Sequence, residues 1–181
     1  MPAHGFTLFD TAIGRCGIAW GPGGIVGIQL PEGPPAATRA RLMRRFPGAG
    51  PEAPPANIQR VMQDIVALLH GEARELRSAA LDMRDVADFD RSVYEAAREI
   101  GPGETVTYGE LAARIGAPDA ARAVGQALGR NPFPIVVPCH RVLAAGGKAG
   151  GFSASGGAAT KLRLLAIEGA SPNGTLPLPL D

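Results

Sequence analysis

The chain has 181 residues, of which 45% are hydrophobic and 19% charged, with a formal net charge of +1 at pH 7. This composition is typical of a globular protein and excludes a disordered or fibrous chain. The N-terminus lacks a basic stretch followed by an apolar run, and no segment approaches the ~20 apolar residues that span a bilayer. We therefore expect a cytoplasmic protein, or a nuclear one in a eukaryote, with no membrane partner.

The chain contains two cysteines, Cys16 and Cys139, which lie far apart. In a chain without a secretion signal, such cysteines are expected to be free thiols. Neither belongs to a CxxC pair, which argues against structural zinc, and we expect no metal. A metal held by Cys16, His4 and His70 stays as an alternative.

The N-terminal part has the pattern of an antiparallel meander followed by helices. Three short strands, at 6–10, 16–20 and 25–30, are separated by glycine-bearing turns. A basic helix over 37–46 is ended by a proline-rich connection. Asn57 is predicted to cap the next helix. Its apolar residues recur at helical spacing: Ile58, Val61, Met62, Ile65 and Leu69.

Residues 71–87 contain no dense apolar pattern, which indicates a passage between two domains. We predict an N-terminal α/β domain over 1–87, a second domain over 88–169 and an irregular tail over 170–181. The second domain begins as a helix after Asp90. One face of this helix carries Val93, Ala97 and Ile100.

The next segment has the pattern of a helix-turn-helix. Thr107 and Glu110 have the spacing of a capping box, which predicts a helix start. A break at 116–118 ends that helix, and Asp119 lies at the start of a second one. Between 105 and 167 there are seven basic residues and two acidic ones. This excess suits a polyanionic partner, although an ordinary solvated surface would look the same.

The last predicted helix covers 158–168 and ends at Gly169. We expect its core face to carry Ala159, Leu162, Leu165 and Ala166.

Cys139 stands between Pro138 and His140, after an apolar run. A free thiol has a pKa near ~8.5, and a histidine that accepts its proton makes it a strong nucleophile. Such a histidine acts best when an acceptor holds its other ring nitrogen, and Glu168 is the candidate. The alternative is an inert core cysteine, which is how we interpret Cys16.

The run 138–142, PCHRV, resembles the active-site signature of the O6-alkylguanine-DNA alkyltransferases. The segments 103–116, 119–142 and 161–169 resemble further family segments in the same order, whereas the N-terminal part matches only in coarse pattern. The resemblance implies an α+β fold. It would combine a ribonuclease-H-like, three-stranded antiparallel sheet with helices and a mostly helical, winged-helix-like domain containing the helix-turn-helix.

The resemblance also implies direct-reversal DNA repair. Cys139 would accept the alkyl group of O6-alkylguanine, and also of O4-alkylthymine. His140, through a bridging water, and Glu168 would draw off the thiol proton, and Asn131 would brace the turn before the cysteine. The product is a thioether, which neither water nor a second thiol reverses, so one molecule would act once. No cofactor is expected.

The implied partner is double-stranded DNA, bound through the minor groove largely without regard to sequence. Arg122 would enter the base stack in place of the extruded base, and Tyr108 would push the 3′ phosphate and contact the base. The small residues would let the helix approach the groove, although they would equally allow close helix packing. The predicted DNA-binding residues are Thr107, Ala120, Ala121, Arg122 and Gly125.

By the same resemblance, Pro134, Val142 and Phe152 would line a pocket for the base. A serine from the next loop would bind it. The loop is two residues longer than the common family pattern, and we favour Ser153 over Ser155 for this contact.

Three other functions are compatible with parts of the pattern. A lesion-binding protein without transfer activity would lack the acceptor, whereas Cys139 is present. A cysteine hydrolase would need an acyl substrate, for which the sequence gives no sign. A regulator with a metal-bound cysteine domain would need more ligands than Cys16. We expect a monomer without an obligate protein partner.

Overall fold

The computed structural model describes residues 3–150, 152 and 157–170. Its strands are β1 (Gly5–Thr11), β2 (Gly14–Gly21), β3 (Gly24–Gln29), β4 (Gly50–Pro51), β5 (Val106–Thr107) and β6 (Val142–Leu143). Its helices are α1 (Pro35–Arg45), α2 (Ala56–Leu69), α3 (Asp88–Ala97), α4 (Tyr108–Arg114), α5 (Ala121–Gly129) and α6 (Gly157–Ile167). The predicted α+β class is confirmed. In this part of the chain no helix is long and apolar enough to cross a membrane.

The N-terminal sheet has the strand order β3-β2-β1-β4. Strands β1, β2 and β3 form the predicted antiparallel meander, with Phe9 opposite Cys16 in the first pair. Strand β4 adds a short parallel edge next to β1. It lies inside the proline-rich connection and has only two residues, which are too few to show the alternation of polar and apolar residues that predicts a strand. The sheet therefore has four strands, one more than the sequence predicts.

Alternation along β2 directs side chains to two helices on opposite faces of the sheet. Ile18 and Trp20 belong to the apolar cluster that contains the buried residues of α2. Ala19 belongs to a smaller cluster with Phe6 and Leu42 of α1. The sheet is thus covered on both faces.

Two helix starts differ from the sequence prediction. Helix α2 begins at Ala56 after Pro55, with no side-chain cap, so the predicted cap at Asn57 is wrong. The fixed φ of proline suits the entry to a helix without help from a side chain. Helix α3 begins at Asp88, which places Asp90 inside its first turn, where its carboxylate accepts hydrogen bonds from Arg130.

The segment between α2 and α3 is tied to the edge of the sheet. Ile25 N donates to Ala80 O at 2.9 Å, and Asp82 N donates to Ile25 O at 2.8 Å. Leu76 and Ala79 are buried. A stretch that the sequence predicts as a plain connection therefore pairs with β3.

Helices α4 and α5 form the predicted helix-turn-helix, and the capping box of Thr107 and Glu110 is present at the start of α4. Helix α5 begins at Ala121, two residues after Asp119. Strands β5 and β6 pair in parallel beside these helices. This small sheet places the segment after Cys139 against the start of the helix-turn-helix.

Helix α6 ends at Ile167, one residue before the predicted end, and Gly169, with a φ of +77°, follows it as the predicted stop. Its buried face is different from the prediction. Lys161, Leu164 and Leu165 are buried, whereas Leu162 is 43% exposed. The prediction considered apolar residues only. Because Lys161 lies on the buried face, the spacing of the apolar residues indicated the wrong face of the helix.

Among the described residues, one large apolar cluster includes side chains from both halves of the chain. It includes Phe9 and Ile65 from the N-terminal half together with Val93, Leu111 and Leu164 from the C-terminal half. The two halves therefore share a continuous core.

Candidate active site

Cys139 begins a single turn of 3-10 helix, Cys139–Arg141, that lies between the loop 131–138 and β6. Cys139 is 7% exposed, and its backbone amide donates to Val137 O at 2.8 Å. Proline before the turn and the short strand after it fix the backbone on both sides. The thiol is thus held at a defined place next to the core.

Asn131 organises the loop that leads to the cysteine. Its side chain accepts a hydrogen bond from Phe133 N at 2.9 Å and donates one to Val137 O at 2.9 Å. Ile135 in this loop has a φ of +75°, a conformation that strains a β-branched residue. The internal hydrogen bonds hold the loop in this conformation.

His140, Arg141 and Glu168 form a buried ionic network beside the cysteine. His140 Nε2 lies 2.8 Å from Glu168 Oε1, and Arg141 donates to both Glu168 oxygens, at 2.7 and 2.9 Å. Burial alone would raise the pKa of Glu168, but the hydrogen bonds from His140 and Arg141 outweigh it and lower the pKa to about 2. Glu168 is therefore an anion that accepts two donors.

The anion fixes the form of the histidine. Burial lowers the pKa of His140, against the opposing effect of Glu168, so the imidazole is neutral at neutral pH. Its Nε2–H donates to Glu168, which leaves Nδ1 as the acceptor nitrogen. Nδ1 is buried and has no hydrogen-bond partner among residues 3–150, 152 and 157–170. The imidazole is thus arranged as a base.

The environment of the Cys139 thiol contains opposing influences. Burial is the largest influence and raises its pKa above the ordinary value, while a hydrogen bond from Asn131 and the charge of Lys161 oppose that rise. Cys16 differs, because burial raises its pKa to about 11 and Thr11 offers only a weak counter-effect. Cys139 thus has an amide and an ammonium that oppose the effect of burial, whereas Cys16 has the Thr11 hydroxyl.

Lys161 is a residue that sequence reasoning missed. It is fully buried in α6, where its Nζ donates to Val142 O at 2.6 Å and lies 5.6 Å from the centre of the Tyr108 ring. Burial lowers its pKa to about 8, and Cys139 opposes that shift. A buried lysine is rare enough to be a functional signal, but its burial is not visible in an alternating apolar pattern.

Tyr108 lies at the start of α4, where the capping residue Thr107 fixes the backbone. Its ring faces the small residues Gly125 and Gly150, which leave room for it: a Cβ on Gly150 would lie 3.1 Å from the tyrosine hydroxyl. Burial raises the pKa of Tyr108, and so does the neighbouring Cys139. The structure therefore brings Tyr108 close to the cysteine.

The predicted DNA-binding residues lie on α5 or directly before the start of α4 or α5. Ala120, Ala121 and Gly125 are half-buried, and Arg122 is exposed. Within the described ranges no carboxylate lies within ion-pair distance of Arg122. An exposed arginine among small side chains can approach a partner closely.

A cavity of about 260 Å³ opens beside the cysteine. Its wall includes Pro134, Cys139 and Phe152, together with residues of the N-terminal half. Val142 does not line it, since this residue is fully buried in β6. Ser153 and Ser155 lie outside the described residues. Two of the three predicted apolar pocket residues therefore border the cavity.

No group of three potential metal ligands occurs in the described part of the chain. The alternative of a metal held by His4, His70 and Cys16 thus has no structural basis.

Comparison with known proteins identifies the family. The chain is 35% identical over 158 residues to the methylated-DNA–protein-cysteine methyltransferase of Methanothermobacter thermautotrophicus, which covers 87% of this chain and 81% of the relative. The chain belongs to this family. The family model for the DNA-binding domain of 6-O-methylguanine DNA methyltransferase matches residues 88–170.

Solved structures of family members have the same fold. The Mycobacterium tuberculosis O6-methylguanine methyltransferase has a TM-score of 0.73 at 34% identity, covering 99% of this chain and 96% of that one. A structure of M. tuberculosis OGT in complex with DNA has a TM-score of 0.72 at 36% identity, covering 90% and 91%. The family and the fold class predicted from the sequence are thus confirmed.

Proposed function

We propose that this protein repairs alkylated DNA by transferring the alkyl group from O6 of guanine to Cys139. The observation that carries the proposal is the network beside the thiol, where the Glu168 anion orients the neutral imidazole of His140. Membership of the methyltransferase family supports the same activity. The same reaction would remove the group from O4-alkylthymine.

The reaction forms one bond and breaks one. The thiol proton passes to Nδ1 of His140, through a bridging water, and the Cys139 sulfur attacks the saturated carbon attached to O6. The C–S bond forms as the C–O6 bond breaks, and guanine leaves with the electron pair. A hydrogen bond from Tyr108 stabilises the negative charge that develops on the leaving base, and the proton held on His140 balances that charge. The balance requires no cofactor.

Each molecule acts once. The product at Cys139 is a thioether. It has no carbonyl that water could attack, and there is no second thiol with which it could exchange. A pure lesion-binding protein is the alternative. An acceptor thiol surrounded by a base, a buried anion and a lysine has no purpose in such a protein, so we favour transfer.

The decisive experiment uses duplex DNA that contains one O6-methylguanine. We expect one methyl group on the peptide that carries Cys139, in an amount equal to the protein added, as mass spectrometry of a digest would measure. Continued demethylation beyond that amount would contradict single turnover. Unmodified peptide after complete binding would contradict the proposed function itself.

The chain would divide its tasks between two domains. Residues 88–169 would bind the minor groove and carry the chemistry, 1–87 would support them, and 170–181 would form a tail. A base inside a duplex cannot present O6 to a buried thiol, so Arg122 on α5 would replace it in the stack. Thr107, Ala120, Ala121 and Gly125 would contact the backbone, and Tyr108 the 3′ phosphate.

Arg122 provides a test of base extrusion. We expect Arg122→Ala to slow repair of duplex DNA by about a hundredfold, because extruding a stacked base costs a few kcal/mol. Reaction with free O6-benzylguanine should stay near the wild-type rate, since that substrate needs no extrusion. Both rate constants follow from quenched reactions analysed by mass spectrometry. Equal losses with the two substrates would remove this role from Arg122.

The cavity beside Cys139 suggests tolerance of larger alkyl groups. A dry protein cavity of about 150 Å³ binds benzene, so 260 Å³ has room for a benzyl substituent. Pro134 and Phe152 would line the pocket around the alkylated base, and Ser153 would bind the base.

Lys161 supports the thiolate through its charge. We expect Lys161→Met to raise the Cys139 pKa further and to slow transfer about tenfold at neutral pH. The exposed Lys148 offers a matched control, and Lys148→Met should leave the rate unchanged. The measurement is the rate of benzyl transfer as a function of pH. A parallel fall at every pH would show that Lys161 acts by packing instead.

A further inference from the structure

The loop that carries the reactive cysteine is attached to the N-terminal half at one carbonyl group. Pro132 O accepts a hydrogen bond from Ile28 N of β3 at 2.9 Å. It accepts a second one from Arg45 Nη2, at the end of α1, at 3.2 Å. Pro132 follows Asn131 directly, so the attachment lies one residue from the side chain that organises the loop.

Arg45 is held in place by several acceptors. Its Nη1 donates to Ile28 O at 2.7 Å and to Gln29 Oε1 at 3.1 Å, and its guanidinium lies 5.0 Å from the Phe46 ring centre. Burial lowers its pKa, as does the nearby Arg41. In the described portion of the chain no carboxylate forms an ion pair with it. A flat guanidinium with directed donors suits this bridge, which an ammonium could not form.

The bridge connects to the thiol in two steps. The Asn131 side chain bonds to the loop backbone at Phe133 and Val137, and the Cys139 amide donates to the same Val137 carbonyl at 2.8 Å. Asn131 also lowers the pKa of the Cys139 thiol. Ile135 strains this loop, because a φ of +75° is unfavourable for a β-branched residue. A strained loop keeps its conformation only when its surroundings fix it, and β3 and α1 provide fixation from outside.

We propose that Arg45 is a positioning residue for alkyl transfer: by holding the Pro132 carbonyl, it keeps Asn131 bonded to the Val137 carbonyl and so fixes the place of Cys139. The N-terminal half then contributes to thiol reactivity as well as to folding. This role depends on the proposed function for its biological meaning, but the reactivity of the thiol can be measured without DNA.

The consequence is a change in the pH dependence of the thiol. The groups that face Cys139 are Tyr94 from α3, Tyr108 from α4, Lys161 from α6, the adjacent His140, and Asn131. Asn131 does not titrate. Displacing its side chain should therefore shift the pH dependence of Cys139 reactivity without adding a second titration. Losing a donor to the thiolate raises the pKa of a thiol.

The experiment compares Arg45→Met with Arg44→Met. Arg44 is the exposed neighbour on the same helix and takes no part in the bridge. The reaction is alkylation of Cys139 by iodoacetamide, followed across pH by mass spectrometry of the Cys139 peptide, together with benzyl transfer from free O6-benzylguanine. For Arg45→Met we expect both profiles to move to higher pH, with rates about tenfold lower at neutral pH. The rates should return towards wild type at high pH.

Arg45→Lys serves as the milder variant if Arg45→Met does not fold. It keeps the charge but loses the forked geometry, so we expect an intermediate shift. Arg44→Met should match wild type. An unchanged profile, or an equal fall at every pH, would overturn the proposal. If wild type reacts with iodoacetamide but never accepts the benzyl group, the proposed function fails instead, and the iodoacetamide profiles still decide the role of Arg45.

Discussion

Cys139→Ala should abolish alkyl transfer completely while duplex DNA containing O6-methylguanine still binds. Cys139 is the acceptor atom in the proposed reaction, and no other group can form the product. The second thiol cannot replace it, because Cys16 is buried on the far side of the sheet from α1 and burial raises its pKa to about 11. Binding should persist, since the proposed DNA contacts lie on α4 and α5.

The measurement pairs two assays on the same protein. Transfer of labelled methyl to protein reports the chemistry, and fluorescence anisotropy of the labelled duplex reports binding. Cys16→Ala is the matched control and should keep full transfer. Methyl transfer by Cys139→Ala would show that another residue is the acceptor, and loss of binding would show that the thiol has a structural role in DNA recognition.

Glu168→Gln should destabilise the protein strongly. The glutamate accepts donors from both His140 and Arg141, whose side chains are 1% and 6% exposed. Removing the anion leaves the Arg141 cation buried, and breaking such a pair typically costs about 3–5 kcal/mol. The exposed pair of Glu99 and Arg77 offers a control. Glu99→Gln should change the free energy of unfolding by less than about 1 kcal/mol.

The stability difference should depend on pH in a defined direction. The pKa of Glu168 is about 2 in the folded protein, below the ordinary 4.5. The ionised group therefore stabilises the fold at every pH above about 4.5, and that contribution disappears as the pH falls towards 2. Urea unfolding of wild type and Glu168→Gln should give curves that are far apart at neutral pH and converge in acid. A constant separation would contradict the ionic role.

Local patterns predicted much of the fold. The capping box of Thr107 and Glu110 was predicted correctly because its two bonds involve residues three apart. The predicted cap at Asn57 was wrong, because consecutive prolines had already set the entry of α2. Strand β4 was missed because it exists only through its pairing with β1. Short parallel pairs leave no periodic signal in a sequence.

The site was predictable where its chemistry is carried by neighbours in the sequence. Cys139 and His140 are adjacent, Glu168 was already the candidate acceptor for the histidine, and the family resemblance supplied Asn131. The bonds that complete the network join distant segments, such as Arg141 to Ile100 and Arg45 to Pro132. Lys161 shows the same limit, because nothing in its own helix reveals that it faces Cys139.

The shared core determines how the protein unfolds as well as how it folds. Phe9 of the first strand and Leu164 of the last helix belong to one apolar cluster. Unfolding of either half would expose apolar surface of the other half. A partly unfolded state is therefore not stable. A destabilised molecule would unfold as a single cooperative unit. A destabilising substitution anywhere in the cluster would therefore also affect the reactivity of Cys139.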